Sequence, residues 1–270
     1  MATSRQVALV TGANTGLGKY AARALIDAGF EVVGTSRNTS GLDSSQGVTF
    51  VDLDVTRDDS VTAAVEFVLA QFGRIDVLVN NAGMGLAGAS EENSIAQSQR
   101  LFDLNVFGVM RMTNAVLPQM RKQGSGRIIN ISSIFGLMPA PFMAAYSATK
   151  YAVEGYSESV DHEVRESNIR VLIVEPGATR TGFDDNTPAP DNPLAVYQRQ
   201  REHSNRAVAD QVNNGDDPVV VAKVIAAAAT DSNPKLRYPA GSARRLSVMR
   251  RFAPRRIFDK QLRKSLNVGG

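Results

Sequence analysis

Three polar side chains in one largely apolar stretch, residues 131–150, have the types and spacing for proton transfer: Ser133, Tyr146 and Lys150. Tyr146 and Lys150 are four residues apart, so on a helix they share a face with about 5–6 Å between Cβ atoms. A phenol titrates near ~10 in water, and a cation held beside it favours the phenolate. The pair therefore predicts a general acid/base, although the same spacing is common on solvated helix faces. None of the other five tyrosines has a lysine at that offset.

The composition excludes several other kinds of chemistry. The chain has no cysteine, which rules out disulfides, thiolate catalysis and cysteine metal sites. Its two histidines, His162 and His203, are far apart without ligand spacing, so we predict no metal site. A strand-like run begins at Gln6 and no apolar run reaches ~18 residues, so we expect neither a signal peptide nor a membrane span. A cytoplasmic location is the resulting expectation.

Alternating strands and helices must position the acid/base pair. Short apolar runs rich in β-branched residues predict strands at 7–11, 31–37, 48–55, 75–83, 126–133 and 168–177. Helical periodicity predicts helices at 19–29, 57–72, 90–123 and 142–166. This alternation is typical of an α/β fold with a doubly wound, Rossmann-like parallel sheet in three layers. We find no internal repeat or linker and predict a single domain, 1–270.

Two later segments depart from that alternation. Residues 178–217 are rich in Thr, Asp, Asn and Pro, with a polar helix near 197–212, and so long a break predicts a substrate lid. Asp217 is then a candidate N-cap, with Pro218 at the first position of another helix.

Residues 241–270 form a basic C-terminal extension. They hold nine Lys or Arg residues and one acid, Asp259, a net +8 that leaves −5 for the first 240 residues, since the chain totals +3. Apolar residues between the basic ones predict amphipathic helices, separated at Pro254. We expect this extension to pack its apolar side near the substrate entrance. A weak peripheral contact with an anionic membrane is the alternative, and nucleic-acid binding is not expected because no recognition motif accompanies the charge.

A glycine-rich turn, TGANTGLG, connects the first strand to the first helix. Gly12, Gly16 and Gly18 would let the backbone approach a pyrophosphate, whose charge the helix N-terminus stabilises. Such turns also serve only to reverse the chain, but the flanking strand and helix favour a dinucleotide site. Residues 83–88 match G-x-G-x-x-G literally. No periodic helix follows them directly, so we discount them as a phosphate cradle.

The end of the second predicted strand favours NADP over NAD. An acid about 20 residues after the glycines would accept hydrogen bonds from a free ribose 2′-hydroxyl, and the sequence there is Thr35-Ser36-Arg37. The Arg37 guanidinium suits a 2′-phosphate instead. A solvated surface arginine is the alternative interpretation.

With these motifs in order, the chain resembles the compact, single-domain short-chain dehydrogenases/reductases over roughly residues 5–240. The glycine-rich turn matches the family's T-G-x-x-x-G-x-G, NNAG at 80–83 its fourth-strand motif, and YSATK its Y-x-x-x-K. Ser133 has the family spacing to Tyr146, Asn105 matches the catalytic asparagine, and residues 176–181 match P-G-x-x-x-T.

The resemblance implies a role for each matching residue. Tyr146 would move a proton while hydride passes between nicotinamide and substrate, and Ser133 would hydrogen-bond the reacting oxygen. Asn105 would support a water that relays protons to Lys150, which would also bind the nicotinamide ribose. The implied cofactor-binding set is Gly12, Asn14, Thr15, Gly16, Leu17, Gly18, Arg37, Asp54, Val55, Asn81, Ala82, Gly83, Tyr146, Lys150, Pro176, Gly177, Thr179 and Thr181. Within it Asp54 and Val55 would contact the adenine, residues 81–83 the adenosine ribose, and Thr181 the carboxamide.

The residues between Ser133 and Tyr146 bear on the substrate. They include Ile134, Phe135, Leu137, Met138, Pro139, Phe142 and Met143, which with Phe183 would form an apolar pocket wall, unless several are only core. The combination of the VEPG segment, the TSR segment at 35–37 and the long extension resembles members that act on steroids, retinoids or similar lipophilic carbonyls. The leading hypothesis is an NADP-dependent oxidoreductase of lipophilic secondary alcohols or ketones. A reductase of small acyl or sugar-like ketones and a non-catalytic NADP-sensing protein are the alternatives.

The resemblance also implies an oligomer. Family members are mostly dimers or tetramers paired through the long helices that correspond to 90–123 and 142–166. We therefore expect a homodimer or homotetramer with a small-molecule substrate.

Overall fold

We describe the fold from a computed structural model that covers residues 5–183, 187–252 and 254–265. Parts of the predicted lid (184–186) and of the predicted extension (253 and 266–270) therefore lie outside the described residues.

Seven parallel strands form one sheet in the order β3-β2-β1-β4-β5-β6-β7. Their bounds are β1 Val7–Val10, β2 Glu31–Ser36, β3 Val48–Asp52, β4 Val77–Asn80, β5 Gly126–Ile131, β6 Ile169–Pro176 and β7 Arg237–Ala240. The order reverses between β1 and β4, which are hydrogen-bonded neighbours. In doubly wound sheets the crevice at such a switch point, beyond the carboxyl ends of the strands, holds the ligand. The predicted fold is confirmed.

The helices of the described residues are α1 Gly16–Asp27, α2 Asp58–Phe72, α3 Ile95–Phe102, α4 Gly108–Gln123, α5 Ala144–Val164, α6 Gln198–Asn213, α7 Pro218–Thr230, α8 Ala243–Phe252 and α9 Arg255–Ser265. Helices α2, α4 and α5 cover one face of the sheet and α1 and α7 the other, which makes three layers. Side chains alternate across a strand, so Leu9 packs with α2, α4 and α5. Its neighbours Ala8 and Val10 pack with α1 and α7 on the other face. Both faces are apolar, as parallel sheets require.

The predicted long helix at 90–123 is wrong as one element. A single 3-10 turn, Ser90–Glu92, comes first, and α3 begins only at Ile95, where the Ser94 hydroxyl accepts a hydrogen bond from the Gln97 amide at 3.1 Å. A π-helical turn, Asp103–Phe107, then separates α3 from α4. Apolar periodicity cannot show this turn, because one extra residue per turn rotates the helical face without ending the helix.

The short strand β7 was not predicted. It has four residues, lies at the edge of the sheet beside β6, and contains Pro239. Proline lacks the N–H for a ladder, so within sheets it is confined to such edges.

The predicted N-cap at Asp217 and the predicted separation of two helices at Pro254 agree with the structure. The Asp217 carboxylate accepts a hydrogen bond from the Val219 amide at 2.8 Å and caps α7. Pro254 lies between α8 and α9. Among the described helices, none is long and apolar enough to cross a membrane.

Candidate active site

The glycine-rich turn follows β1 at the switch point and leads directly into α1. Gly12 and Gly16 have φ of 64° and 50°, the left-handed region that favours glycine. The side chain of Thr15, the N-cap residue, makes no capping hydrogen bond to the first turn of α1. The first N–H groups of the helix are therefore available to bind an anion.

The packing of this turn fits a dinucleotide. A Cβ on Gly18 would lie 2.1 Å from the Gly12 carbonyl oxygen and 2.5 Å from the Asn81 amide nitrogen, so only glycine allows this close approach. Asn81 donates from Nδ2 to the carbonyl oxygens of Thr11 (2.9 Å) and Gly12 (3.2 Å). The NNAG segment thus holds the turn in shape. Ala82 also donates its amide to the Thr11 hydroxyl at 2.9 Å.

The adenosine side of the crevice is formed by the ends of β2 and β3. Arg37 follows β2 and is exposed, and it forms no ion pair within the described part of the chain. Asp54 lies after β3, where burial opposes ionisation but hydrogen bonds from Thr56 and the charges of Arg37 and Arg57 keep its pKa below the usual value. Val55 beside it is buried. The predicted phosphate and adenine residues are therefore neighbours.

Tyr146 and Lys150 share a face in the first two turns of α5. The Lys150 Nζ lies 5.6 Å from the centroid of the Tyr146 ring, and both side chains are buried. Nζ donates to the Ile131 carbonyl oxygen at 2.9 Å, which fixes the ammonium against β5. Burial lowers the pKa of Lys150 to about 8, and the charge of Glu154 opposes that shift.

Ser133 begins the 3-10 turn Ile134–Gly136 at the end of β5. Its hydroxyl oxygen accepts a hydrogen bond from the Phe135 amide at 3.2 Å, so the side chain caps that turn. A hydroxyl is also a donor. Its proton can therefore still be given to a substrate oxygen.

Asn105 lies in the π-helical turn between α3 and α4. Its side chain accepts from the Met84 amide (3.0 Å) and donates to the Met84 carbonyl (2.9 Å) and the Thr149 hydroxyl (3.3 Å). These bonds join the loop after β4 to the helix that carries Lys150. π-helical turns occur frequently at functional sites, and this one rotates Asn105 inward.

The loop after β6 brings the remaining cofactor residues to the same crevice. The Thr179 hydroxyl donates to the Gly177 carbonyl at 3.0 Å. A Cβ on Gly16 would lie 3.8 Å from the Cβ of Thr181, so this loop crosses the start of α1. The Asp216 carboxylate anchors the region by accepting from the amide (2.7 Å) and hydroxyl (2.9 Å) of Ser242.

The predicted apolar wall divides into two groups. Phe135, Met143 and Phe183 pack around Tyr146, with ring centroids 6.2 Å (Phe135) and 6.0 Å (Phe183) from that of Tyr146. Ile134, Met138 and Leu137 instead pack against the extension, where they meet Ala243, Leu246 and Phe258.

Two loops complete the surroundings of the wall. Phe142, at φ 61°, contacts the Tyr197 ring of the lid region at 6.2 Å between centroids. Pro139 is exposed. The literal G-x-G-x-x-G at 83–88 packs against lid residues, since a Cβ on Gly85 would lie 2.5 Å from the Thr187 hydroxyl.

Sequence reasoning missed two buried ionic groups next to this site. Glu92 is fully buried and pairs with Arg201 of α6. Glu154 and Glu175, both buried, share Arg237. An acid inside an apolar strand, as in IVEPG, is the signal that could have indicated the second group.

Comparisons with known proteins agree with this geometry. A family profile described as short chain dehydrogenase matches residues 6–192. The chain belongs to the short-chain dehydrogenase family. It is an NAD(P)-dependent dehydrogenase/reductase with a small-molecule substrate.

Individual relatives extend over most of this short-chain dehydrogenase. A short-chain dehydrogenase from Streptomyces avermitilis is 36% identical, with a TM-score of 0.83 and 100% of both chains covered. A 3-ketodihydrosphingosine reductase from Bacteroides thetaiotaomicron is 48% identical over 67% of this chain and 66% of that protein, so the match spans just under two thirds of that relative. Retinol dehydrogenase 8 from Bos taurus is 34% identical over 88% of this chain and 82% of the relative.

Solved relatives hold both forms of the nicotinamide cofactor. A 3-ketoacyl-(acyl-carrier-protein) reductase from Brucella melitensis, complexed with NADH, is 26% identical with a TM-score of 0.74, covering 87% of this chain and 96% of that one. ElxO with NADP bound is 27% identical with a TM-score of 0.73, covering 87% and 97%. The family therefore supports a nicotinamide cofactor for this chain without choosing between NAD and NADP.

Proposed function

We propose that this short-chain dehydrogenase uses NADP to interconvert lipophilic secondary alcohols and ketones. The observation that carries the proposal is the setting of Tyr146, whose ring contacts those of Phe135 and Phe183 in an apolar cluster. A substrate carbon within reach of the phenol is therefore close to apolar side chains, which favours an apolar substituent.

In this proposal Ser133, Tyr146 and Lys150 have separate roles in the proton transfer. The Ser133 hydroxyl donates to the substrate oxygen as negative charge develops there. Tyr146 gives or takes the proton of that oxygen, and the Lys150 ammonium favours the phenolate. Nicotinamide, when bound, supplies or accepts the hydride. The site residues named from the sequence remain predictions until variants are assayed.

Two relatives support a lipophilic substrate by their names. One is a reductase of 3-ketodihydrosphingosine, a ketone with a long alkyl chain, and another is a retinol dehydrogenase. A panel of ketones and alcohols graded by hydrophobicity, assayed with NADPH and NADP, tests the proposal. We expect kcat/KM to rise with alkyl length. Equal or better turnover of short acyl or sugar-like ketones would contradict the lipophilic class while leaving the enzyme class intact.

The NADP preference is a separate part of the proposal and rests on Arg37. No acid follows β2, and the guanidinium at that point is exposed beside Asp54. We expect Arg37→Asp to lower kcat/KM for NADPH by about 10–100-fold, because a charge-assisted bond to the phosphate contributes about 1.5–3 kcal/mol. NADH should then be preferred. Paired kinetics with both cofactors measure this ratio.

Arg57→Asp is the matched control, since Arg57 also acts on Asp54 but forms an ion pair with Asp59 at 2.6 Å. An unchanged preference in Arg37→Asp, or an equal change in Arg57→Asp, would contradict the assignment.

We also propose a homodimer or homotetramer through α4 and α5 and the turn before α4. Phe107 and Tyr151 expose 49% and 43% of their surfaces on these elements, which supports a contact there. Light scattering coupled to size-exclusion chromatography measures the state, and a monomer at assay concentration would contradict it. The cytoplasmic location also stays a prediction, which cell fractionation checks.

Weak binding to anionic membrane is proposed for the outer face of the extension. Val248, Met249 and Ile257 are exposed there among Arg244, Arg245, Arg256 and Lys260. Vesicles containing phosphatidylserine should co-sediment the protein at low salt, and Arg244→Ser with Arg245→Ser should weaken this. Equal binding to uncharged vesicles would contradict the charge argument. Substitution is preferable to deletion because Ser242 anchors Asp216 beside the cofactor loop.

A further inference from the structure

Behind Lys150, one turn further along α5, lies a carboxylate that the family mechanism does not use. Glu154 is four residues after Lys150, so both project from one face of the helix, and its surface is 5% exposed. An ionised carboxylate is costly to bury unless it is paired. Glu154 therefore needs a cation or hydrogen-bond donors beside it.

Arg237, on the edge strand β7, provides that partner. Its Nε lies 3.0 Å from Glu154 Oε2 and 3.4 Å from Glu175 Oε1, and its Nη2 lies 3.1 Å from Glu158 Oε2. One guanidinium thus holds two buried carboxyls and one half-exposed carboxylate. The backbone amides of the strand keep Arg237 in place, so Glu154 is oriented by the sheet.

Two buried carboxyls, Glu154 and Glu175, share the single guanidinium of Arg237, so each disfavours the ionised form of the other. Burial, together with the charge of Glu154, raises the pKa of Glu175 to about 7, which Arg237 partly opposes. Glu154 Oε1 and Glu175 Oε1 both lack a hydrogen bond in the described part of the chain, but Glu154 Oε2 accepts one from Arg237 Nε at 3.0 Å. Glu154 is the carboxyl with the full hydrogen bond to Arg237. It is therefore the one that carries the negative charge.

The other polar groups that face Glu154 do not replace it. The Ser132 hydroxyl lies beside it and lowers its pKa, against the larger effect of burial. Tyr151, on the same helix, has its pKa raised by burial and interacts with Arg250 of α8. Neither group supplies a negative charge near Lys150 at neutral pH.

We propose that Glu154, oriented by Arg237, is a positioning residue that keeps Lys150 protonated beside Tyr146. Burial acts to remove the lysine's proton, and the carboxylate of Glu154 is the charge that opposes this. The inference rests on the proposed proton transfer by Tyr146 and explains why a lysine so deeply buried stays an ammonium there.

The sign of one pH shift tests this inference. In alcohol oxidation Tyr146 acts as a base, so the rate rises with pH through the pKa of the phenol. If the Glu154 carboxylate acted directly on the Tyr146 phenol, its removal would favour the phenolate and move the midpoint down. If it acts by keeping Lys150 protonated, its removal lowers the pKa of the lysine, the cation beside the phenol is lost, and the midpoint moves up. We expect Glu154→Gln to raise the midpoint by about one pH unit.

Two variants of neighbouring carboxyl residues are matched controls for Glu154→Gln. Glu158→Gln removes a carboxylate from the same Arg237, and Glu175→Gln removes the second buried carboxyl. We expect both to keep the wild-type midpoint. A midpoint that is unchanged or lower in Glu154→Gln, or equally raised in all three variants, overturns the proposal.

A spectroscopic titration separates this inference from the proposed function. The tyrosinate absorbance of each holoenzyme, minus that of the same variant with Tyr146→Phe, follows the phenol without any substrate. Failure of every panel compound would then count against the substrate class alone. Should Glu154→Gln not fold, Glu154→Asp retains the charge and should retain the wild-type midpoint, and a raised midpoint in that variant overturns the proposal.

Discussion

At the scale of single residues, the site depends on polar groups held in nearly dry surroundings. Lys150 has one carbonyl partner, Ile131, and Tyr146 has two aromatic neighbours. Electrostatic interactions are stronger where water is excluded, so the ammonium acts more strongly on the phenol than it would on a solvated helix. The same exclusion makes the lysine's own charge conditional, because burial lowers its pKa to about 8.

Tyr146→Phe isolates the proton-transfer role. The ring keeps its packing against Phe135 and Phe183, so we expect folding and NADPH affinity to stay close to the wild type. Turnover should fall by about 10²–10⁴-fold, the usual contribution of a general acid or base. Steady-state kinetics and cofactor fluorescence titration measure the two effects. Tyr151→Phe, on the exposed side of the same helix, is the control, and an active Tyr146→Phe enzyme would refute the assignment.

Residue types and spacing led to the predicted catalytic set, but they did not indicate the groups that support it. Y-x-x-x-K and the glycine turn are local patterns, visible within eight residues. Glu154, in contrast, looks like an ordinary solvated helix residue, and its partner Arg237 is 83 positions away. A pairing across such a distance depends on which strand becomes the sheet edge. A single sequence does not determine that.

At the scale of elements, the turn after β1 illustrates how backbone contact limits side chains. A Cβ on Gly18 would meet the Gly12 carbonyl oxygen at 2.1 Å, whereas a Cβ on Gly155, in the middle of α5, meets nothing within 4 Å. We expect Gly18→Ala to weaken cofactor binding and lower the melting temperature. Gly155→Ala should stabilise the protein by about 0.5–1 kcal/mol, because alanine loses less conformational entropy in a helix.

Thermal unfolding with and without NADPH measures both changes. The two variants add the same methyl group, so the comparison removes any general effect of alanine. Equal melting temperatures would show that the turn can relax and that its packing does not require glycine.

The lid region depends on a buried ion pair that periodicity could not show. Glu92 accepts hydrogen bonds from the amides of Ala89 (2.9 Å) and Leu194 (2.8 Å) and pairs with Arg201 on α6. Burial alone would raise its pKa, but these partners lower it below the usual value. The sequence predicted an uninterrupted helix around Glu92. In the structure Glu92 ends the 3-10 turn Ser90–Glu92, and its ion pair with Arg201 connects α6 to that turn.

Arg201→Met tests this connection. Removing one partner leaves a carboxylate buried without its cation, which costs about 3–5 kcal/mol. We expect faster amide hydrogen exchange in α6 and a raised KM for substrate, with the cofactor affinity unchanged. Arg206→Met is the control on the same helix, since Arg206 is mostly exposed and its partner Glu202 is too. Unaltered exchange in Arg201→Met would show that α6 is held by other contacts.

At the scale of the whole molecule, a doubly wound parallel sheet could be predicted from the sequence, but its last edge strand could not. Six buried strands were predicted from apolar runs because both faces of a parallel sheet are covered. β7 is short and half-buried, yet it carries Arg237 into the site. The extension likewise joins the body through Leu246 and Phe258, which pack on the turn after Ser133. The basic charge of the extension indicated that one face of it is exposed to solvent. The packing of Leu246 and Phe258 connects its other face to the active site.

Glu175 couples the stability of the whole fold to pH. Its pKa in the folded protein, about 7, is above its ordinary 4.5, because burial and Glu154 disfavour the charge. Between these values the folded state holds a proton that the unfolded state has released. The stability that this proton contributes is complete below pH 4.5 and is lost as pH rises through 7.

We therefore expect Glu175→Gln, which cannot titrate, to gain stability relative to the wild type as pH rises from 5 to 8. The relative gain should be on the order of 3 kcal/mol, since each pKa unit corresponds to about 1.4 kcal/mol. Urea unfolding of both proteins at the two pH values measures it. Glu158→Gln, which changes a half-exposed carboxylate on the same Arg237, is the matched control. Parallel curves for wild type and Glu175→Gln would show that Arg237 keeps Glu175 ionised, so that two buried carboxylates and not one lie behind Lys150.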